Sequence, residues 1–111
     1  MPVVTAGKKK SLSAVDKVRL PPHSLEAERS VIGALLLDHT CWEKISDMLV
    51  EDDFYVKQHQ IIFTCIAKLA QKKQPFDALT VTESLKVTEE LPKIGGETFV
   101  FALANETLSA Q

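Results

Sequence analysis

The feature that most constrains this chain is a seven-residue run, Val31 to Leu37, that contains no polar side chain. The proline pair Pro21-Pro22 stands before it and cannot lie inside a helix, because proline lacks the N–H donor and its ring clashes with the preceding turn. Ser24 is suited to cap the first free amide, so the sequence predicts a helix from about Leu25 to Leu37. A helix that is apolar on every side is buried among other elements.

Two further details of this first helix bear on its surroundings. Glu26 and Glu28 place negative charge near the positive end of the helix dipole. Gly33-Ala34 lies at the helix centre, where glycine lowers helix propensity. We therefore expect another backbone to approach closely at this point.

Hydrophobic spacing predicts a second and a third helix. Thr40-Cys41-Trp42-Glu43 fits a capping box, and an apolar face follows it at helical spacing. The members of that face are Trp42, Ile45, Met48 and Leu49. The third helix, from about Lys57 to Lys72, has the clearest amphipathic pattern in the sequence. Its apolar stripe consists of Ile62, Ile66, Leu69 and Ala70, with Phe63 alongside.

The pattern after Pro75 predicts a fourth helix and leaves the last element open. Thr80 to Glu83 repeats the capping-box spacing, and the helix it opens ends at Leu91-Pro92. Gly95-Gly96 then reads as a turn. The alternation of Phe99, Phe101 and Leu103 with smaller residues suits a half-buried strand, but no second strand is available to pair with it. As a helix, the same segment puts Phe99 and Leu103 in the core and turns Phe101 outward.

The distribution of charge limits the possible partners. Residues 1–20 carry five basic residues and one acidic residue, a net +4, whereas residues 21–111 carry eight basic and fourteen acidic residues, a net −6. Affinity for nucleic acid depends on neutralising phosphates, which an acidic body does not do. Weak contact of Lys8–Lys10 with DNA is one alternative. A DNA-binding helical domain is another, and it predicts an affinity that falls steeply with salt, so that no detectable binding to single strands at low salt would rule it out.

The sequence has no apolar run long enough to span a bilayer and no signal-peptide pattern. A chain of 111 residues leaves room for one domain and a tail. We therefore expect a soluble cytoplasmic protein with no membrane partner, in which residues 1–20 are a flexible basic tail and residues 21–111 form a helical domain.

The residues that carry chemistry do not form a recognisable catalytic or metal site. Cys41 and Cys65 are expected to be reduced thiols. The segment His39-Thr40-Cys41 offers at most two metal ligands, and the three histidines lack the spacing of a zinc site. The acidic segment Glu51-Asp52-Asp53 reads as the start of a helical turn rather than a metal site. Gly95-Gly96 is not followed by the Lys-Ser or Lys-Thr of a Walker A loop, and no Walker motif occurs elsewhere.

A small enzyme that uses Cys41 or Cys65 with His39 or His59 is a second alternative. It would need a depressed thiol pKa, so slow alkylation by iodoacetamide at neutral pH would rule it out.

From about residue 20 to 110, the chain resembles the N-terminal domain of the bacterial replicative DNA helicases, the DnaB family. The matching segments occur in the family's order and spacing. They are Pro21 to Asp38, Asp52-Asp53-Phe54-Tyr55, His59 before Ile61-Ile62-Phe63, Pro75-Phe76-Asp77 with Thr80, Ile94-Gly95-Gly96, and Phe99-Val100 with Leu103. At the end, the chain reads Leu108-Ser109-Ala110-Gln111 where the family usually has Pro-Ser-Ala-Ala-Asn.

The resemblance implies an all-α fold, a small compact orthogonal bundle of about five to six short helices. The disordered N-terminal tail is expected from the small, polar and basic residues 1–20, which show no hydrophobic period. The resemblance also implies that the last element is a helix. In the family, this domain precedes a helical hairpin and a RecA-like motor, which holds ATP and Mg²⁺ and makes most DNA contacts. The chain itself is then expected to be non-catalytic and to have no cofactor.

The partners implied by the resemblance are proteins. Copies of the domain associate, weakly as a dimer alone and as a hexamer in the parent helicase, and the collar they form receives the DnaG primase, with a helicase loader as a further candidate. We expect Glu97 and Phe101, near the Gly-Gly turn, to contact a partner. The alternative is a stand-alone adaptor or loader-type protein that copies this domain, whose reading frame would stop near Gln111.

Overall fold

The structure is a computed structural model that describes residues 24–109, with side chains over 24–108. The predicted tail, residues 1–20, and the Pro21-Pro22 pair lie outside the described residues. Within them the fold is all-α, with six α-helices, two 3₁₀ turns and no strand. The helices are α1 (Leu25–Leu37), α2 (Trp42–Met48), α3 (Lys57–Gln71), α4 (Ala78–Val87), α5 (Leu91–Ile94) and α6 (Glu97–Ser109). The 3₁₀ turns are His39–Cys41 and Glu51–Asp53. The all-α prediction is confirmed, and the last element is a helix.

Helix α1 begins and ends where the sequence predicts. The Ser24 hydroxyl accepts a hydrogen bond from the Ala27 amide at 3.2 Å, which caps the helix. The helix packs against α6 and α3. At Gly33, an added Cβ would lie 1.9 Å from the Thr107 Oγ1 and 2.7 Å from the Leu103 carbonyl oxygen. Glycine is therefore required where α1 and α6 cross, and the expected close approach is confirmed.

The core is formed by apolar residues from every α-helix except α2, together with residues of the connections. The most deeply buried members are Ile32, Leu35, Phe54, Ile62, Ile66, Val81, Leu85, Ile94, Val100 and Leu103. Aromatic rings close the side near α2, where Phe63 packs against Trp42 and Phe54 with ring centroids 5.3 and 4.9 Å apart. In α2 itself, the expected apolar face is only partly buried, and Met48 is 42 % exposed.

The predicted capping box at Thr40–Glu43 is wrong. The Asp38 carboxylate accepts a hydrogen bond from the Thr40 amide at 3.0 Å and so starts the 3₁₀ turn that precedes α2. Helix α2 then begins at Trp42 without a side-chain cap. The Asp38 side chain thus takes the Thr40 amide that the predicted capping box assigned to Glu43. Short polar side chains commonly bond nearby amides in this way, in competition with a helix cap.

The capping box predicted at Thr80–Glu83 is also wrong, because α4 begins earlier. The Asp77 carboxylate accepts from the Thr80 amide at 2.9 Å, and the Thr80 hydroxyl accepts from the Asp77 amide at 2.8 Å. Thr80 is thus the third residue of the helix and not its cap. The reciprocal bonds satisfy two amides that would otherwise be unpaired.

Leu91-Pro92 begins a helix rather than ending one. Helix α4 ends at Val87, and the short helix α5 starts at Leu91 with the proline in its first turn. A proline is tolerated there because the amides of the first turn have no partner within the helix. Gly95 and Gly96 follow with φ of 103° and 86°, in the left-handed region that glycine favours, and lead into α6. The turn predicted at these glycines is confirmed.

Candidate partner-binding surface

The two residues predicted to contact a partner lie one turn apart on the outer face of α6. Glu97 is exposed at the first turn, and Phe101 is 39 % exposed, whereas Val100 and Leu103 are 0 % and 2 % exposed. Phe99 is half-buried and packs against the core. The outward orientation of Phe101 is therefore confirmed, while its contact with a partner stays a prediction.

The Gly-Gly turn fixes the position of this face. The Phe99 amide donates to the Gly96 carbonyl at 3.2 Å, which closes the first turn of α6. Glu97 lies in that turn, where a carboxylate interacts favourably with the helix dipole. It forms no ion pair with any other described residue, so its charge is available to a partner.

Sequence reasoning missed the other half of this surface. Leu108 is 55 % exposed and lies seven residues, or about two turns, beyond Phe101 on the same side of α6. Beside it, α1 and α6 border an open groove of about 450 Å³. Its lining residues are Leu25, Glu26, Arg29, Ser30, Glu106 and Thr107. The Arg29 guanidinium donates to the Glu106 carboxylate across this groove, a surface ion pair between positions too far apart in sequence for a local pattern to reveal.

A buried polar network lies beneath the surface and was also missed. Glu28 and His59 are each 1 % exposed. The Glu28 carboxylate accepts hydrogen bonds from the Tyr55 amide at 2.6 Å, the His59 Nδ1 at 2.8 Å and the Val56 amide at 3.3 Å. The lowered pKa of Glu28 keeps its carboxylate ionised, and an ionised carboxylate only accepts, so the proton of the contact with His59 lies on the His59 Nδ1. The His59 ring packs on Phe99, with centroids 6.0 Å apart, under the start of α6.

The Glu28 carboxylate, on α1, accepts hydrogen bonds at the start of α3, where a local capping side chain is missing. Val56, the residue before α3, supplies no side-chain cap, and the Glu28 carboxylate from α1 takes its amide instead. Burial acts to raise the pKa of Glu28, but the hydrogen bonds from His59, Tyr55 and Val56 together hold it below its ordinary value of 4.5. Opposing effects of this kind are typical of a carboxylate that is buried but fully hydrogen-bonded.

The thiols do not have the character of catalytic nucleophiles. Burial, with the nearby Asp38 carboxylate, raises the pKa of the Cys41 thiol. Burial likewise raises the pKa of Cys65, which lies in the core. A thiol nucleophile needs a lowered pKa, so both shifts argue against the Cys–His enzyme.

The acidic segment forms a turn, as predicted. Glu51–Asp53 is a 3₁₀ turn in which the Asp53 carboxylate accepts from the Val50 amide at 2.8 Å. Over the part of the chain that the structure describes, no three His, Cys, Asp or Glu side chains gather closely enough to hold a metal ion.

Between residues 24 and 109, no helix has both the length and the apolar character needed to cross a bilayer.

Comparison with known proteins agrees with this fold. The sequence model of the DnaB-like helicase N-terminal domain matches residues 20–111. The replicative DNA helicase DnaB of Buchnera aphidicola (subsp. Schizaphis graminum) is 37% identical over 108 residues, which are 97% of this chain and 23% of that protein. The replicative DNA helicase DnaB of Geobacillus stearothermophilus is 37% identical over 99 residues, 89% of this chain and 22% of that protein.

A solved structure gives the same result. The crystal structure of the N-terminal domain of DnaB helicase from Mycobacterium tuberculosis superimposes with a TM-score of 0.73 and 34% identity, over 78% of this chain and 62% of that one. The chain spans 23% and 22% of the length of the two curated relatives above. Because the family match covers residues 20–111, the chain belongs to the DnaB-like helicase N-terminal domain family.

Proposed function

We propose that this chain is a non-catalytic assembly and primase-docking domain of a hexameric replicative DNA helicase that acts in chromosome replication. Residues 21–111 are the domain, and residues 1–20 are a basic segment that precedes it. The proposal is supported by the family and by relatives named as replicative DNA helicases. The raised pKa of both thiols disfavours the alternative of a cysteine nucleophile.

The catalytic part of the proposal concerns the parent protein. ATP and Mg²⁺ would bind in a motor domain, which would unwind duplex DNA in the cytoplasm and make most of the DNA contacts. The 111 residues contain no G-x4-G-K-[ST] loop for the phosphates of ATP. Copies of the domain associate weakly as a dimer and complete a hexamer in the parent, and the DnaG primase and a helicase loader are its protein partners.

The observation that carries the docking role is the outer face of α6. Phe101 is an exposed aromatic on a helix whose opposite side is fully packed, and one turn away Glu97 adds an exposed carboxylate that has no ion pair among the described residues. Aromatic residues are enriched at the energetic centres of protein interfaces. Because α6 packs on α1 and α4, the backbone that presents Phe101 is held in place before a partner arrives.

Titration calorimetry of the chain with the DnaG primase of the same organism tests this role. We expect Phe101→Ser to weaken binding by about 30-fold, the effect of losing an aromatic anchor. Glu97→Lys should weaken it less. Val87→Ser is the matched control, because Val87 is 83 % exposed at the end of α4, and it should bind like the unaltered chain. Equal affinity of the Phe101→Ser and control variants would contradict docking at this face.

A further inference from the structure

The groove between α1 and α6 has exposed apolar side chains at its edge. Leu25, which lines the groove, is 51 % exposed, and Leu108, which follows the lining residue Thr107, is 55 % exposed. The volume of about 450 Å³ lies within the range of about 300–1,000 Å³ that is usual for binding clefts. The groove is therefore large enough to receive several side chains.

The charge that lines this groove is mainly negative. Glu26 and Glu106 supply two carboxylates, and Arg29 supplies one guanidinium. The Arg29 guanidinium donates to the Glu106 carboxylate, so its charge is already compensated. Glu26 is exposed and forms no ion pair with any other described residue. The groove therefore favours an occupant that combines basic with apolar side chains.

The segment that leads into α1 has this composition. Residues 17–20 read Lys17-Val18-Arg19-Leu20, two basic and two apolar residues with no acidic one. We call them the Lys17 segment, which lies outside the described residues. The other basic run, Lys8–Lys10, stands between a glycine and a serine and has no apolar side chain beside it. A hydrophobic period is not required for binding, since short segments bind to grooves without forming a helix.

The point of attachment places the groove within reach of the Lys17 segment. The segment ends at Leu20, and the chain then passes to Ser24, the cap of α1, and to Leu25 in the groove. The step from residue 20 to residue 24 spans up to about 14 Å, whereas the groove extends along α1 from Leu25 to Ser30, about 8 Å. A connection this short gives an effective concentration on the order of millimolar. A contact too weak to persist between separate molecules therefore forms within one molecule.

We propose that the Lys17 segment, residues 17–20, binds the groove between α1 and α6 of its own molecule. Its apolar side chains lie against Leu25 and Leu108, and its basic side chains lie near Glu26 and Glu106. The contact covers exposed apolar surface and supplies a positive charge to the carboxylate of Glu26, which has no ion pair among the described residues.

The contact has two consequences. The flexible tail expected from the sequence is then limited to residues 1–16. The groove also forms the second half of the candidate partner-binding surface, so the Lys17 segment competes there with a partner. That competition rests on the proposed function, whereas the contact itself does not.

Limited proteolysis of the whole chain by trypsin, which cleaves after lysine and arginine, tests the contact. The groove variant carries Glu26→Gln with Leu108→Ser, and both positions are exposed, so the packing of the helices is kept. The measured quantity is the rate of cleavage after Arg19 divided by the rate after Lys10 in the same molecule. We expect this ratio to be at least 3-fold higher in the groove variant than in the unaltered chain, because the Lys17 segment is then released.

The matched control makes the same kinds of change away from the groove. Glu83→Gln with Val87→Ser alters two exposed side chains of α4 and should leave the ratio unchanged. Equal ratios in the groove variant and the unaltered chain would overturn the contact. A ratio that falls as the unaltered chain is concentrated would overturn it as well, since the segment of one molecule would then bind another. Primase is absent from these reactions, so the failure of this contact is distinguishable from the failure of docking through Phe101.

Discussion

At the residue scale, the buried Glu28 carboxylate joins parts of the chain that are distant in sequence. It belongs to α1, and its three hydrogen-bond donors lie at the start of α3. Each carboxylate oxygen is engaged as an acceptor, so the charge is compensated although water is excluded. A buried ion that keeps its hydrogen bonds is tolerated, whereas the loss of one partner leaves an uncompensated group.

We expect Glu28→Gln to lower the free energy of unfolding by about 3 kcal/mol, as for the breaking of other buried pairs. The amide has the same size as the carboxylate, but its NH₂ group would face an amide or imidazole donor and could not accept from it. Urea unfolding at pH 7 measures the loss. An unfolding free energy close to that of the unaltered chain would mean that the network is not essential.

The same substitution should alter the response to acid. Because the folded state lowers the pKa of Glu28, its contribution to stability is present above the ordinary pKa and is lost as pH falls through the folded value. The unaltered chain should therefore lose more stability below about pH 4.5 than Glu28→Gln does. Glu83→Gln is the control, because Glu83 is an exposed carboxylate that pairs with Lys86 on the surface of α4, and this variant should respond to acid as the unaltered chain does.

Gly33 gives a further prediction at the residue scale. A methyl group at this position would collide with the Leu103 carbonyl, which is backbone and cannot rotate away, and with the Thr107 side chain. We expect Gly33→Ala to cost about 3 kcal/mol, at the upper end of the range for overpacking. Adding Thr107→Ala should recover only part of the loss, since the carbonyl remains. A change below about 0.5 kcal/mol in urea unfolding, as at an ordinary surface site, would contradict the close crossing.

At the scale of the elements, two substitutions near the start of α4 distinguish the observed cap, Asp77, from the cap predicted by spacing, Thr80. Asp77→Ala removes the side chain that caps the helix and should cost about 1 kcal/mol. Glu83→Ala removes only an exposed pairing with Lys86 and should cost less than about 0.5 kcal/mol. Urea unfolding of the two variants decides between the caps, and a larger loss for Glu83→Ala would favour the Thr80 assignment.

A comparison of α1, α2 and α4 shows which features of the fold are predictable from sequence. The bounds of α1 follow from local signals, namely the Ser24 cap and an apolar run that stops at Asp38. The starts of α2 and α4 do not, because each segment holds an aspartate shortly before a threonine, and both residue types compete for the same amides. The spacing pattern does not predict whether the aspartate or the threonine accepts the hydrogen bond from these amides, since this depends on the path of the preceding loop.

The candidate surface was predictable only where a single helix determines it. The helical period alone places Phe101 outward and Leu103 inward. The groove beside Arg29 and Glu106 instead requires α1 and α6 to be neighbours. Glu28 and His59 each occur on an otherwise apolar stripe, with Ile32 and Ile62 respectively, which signals that each needs a buried partner. The sequence alone does not identify that partner, because the pairing is tertiary.

At the scale of the whole molecule, the separation of charge decides how the chain responds to nucleic acid. The domain, residues 21–111, has a net charge of −6, and residues 1–20 have a net charge of +4. We expect residues 21–111 alone to show no binding to single-stranded DNA at low salt, because phosphate is repelled by the acidic surface. Any binding by the whole chain should then come from Lys8–Lys10 and should fall steeply as salt is added.

Fluorescence anisotropy of a labelled oligonucleotide measures both cases. A version of the whole chain in which Lys8, Lys9 and Lys10 are replaced by glutamine is the matched control, since it keeps the length and removes three positive charges. We expect it to behave like residues 21–111. Salt-sensitive binding by residues 21–111 would instead locate a phosphate-binding site on the domain, with Lys68, Lys72 and Lys73, the exposed lysines at the end of α3, as its first candidates. The domain would then contact DNA directly, and its acidic net charge would no longer exclude that role.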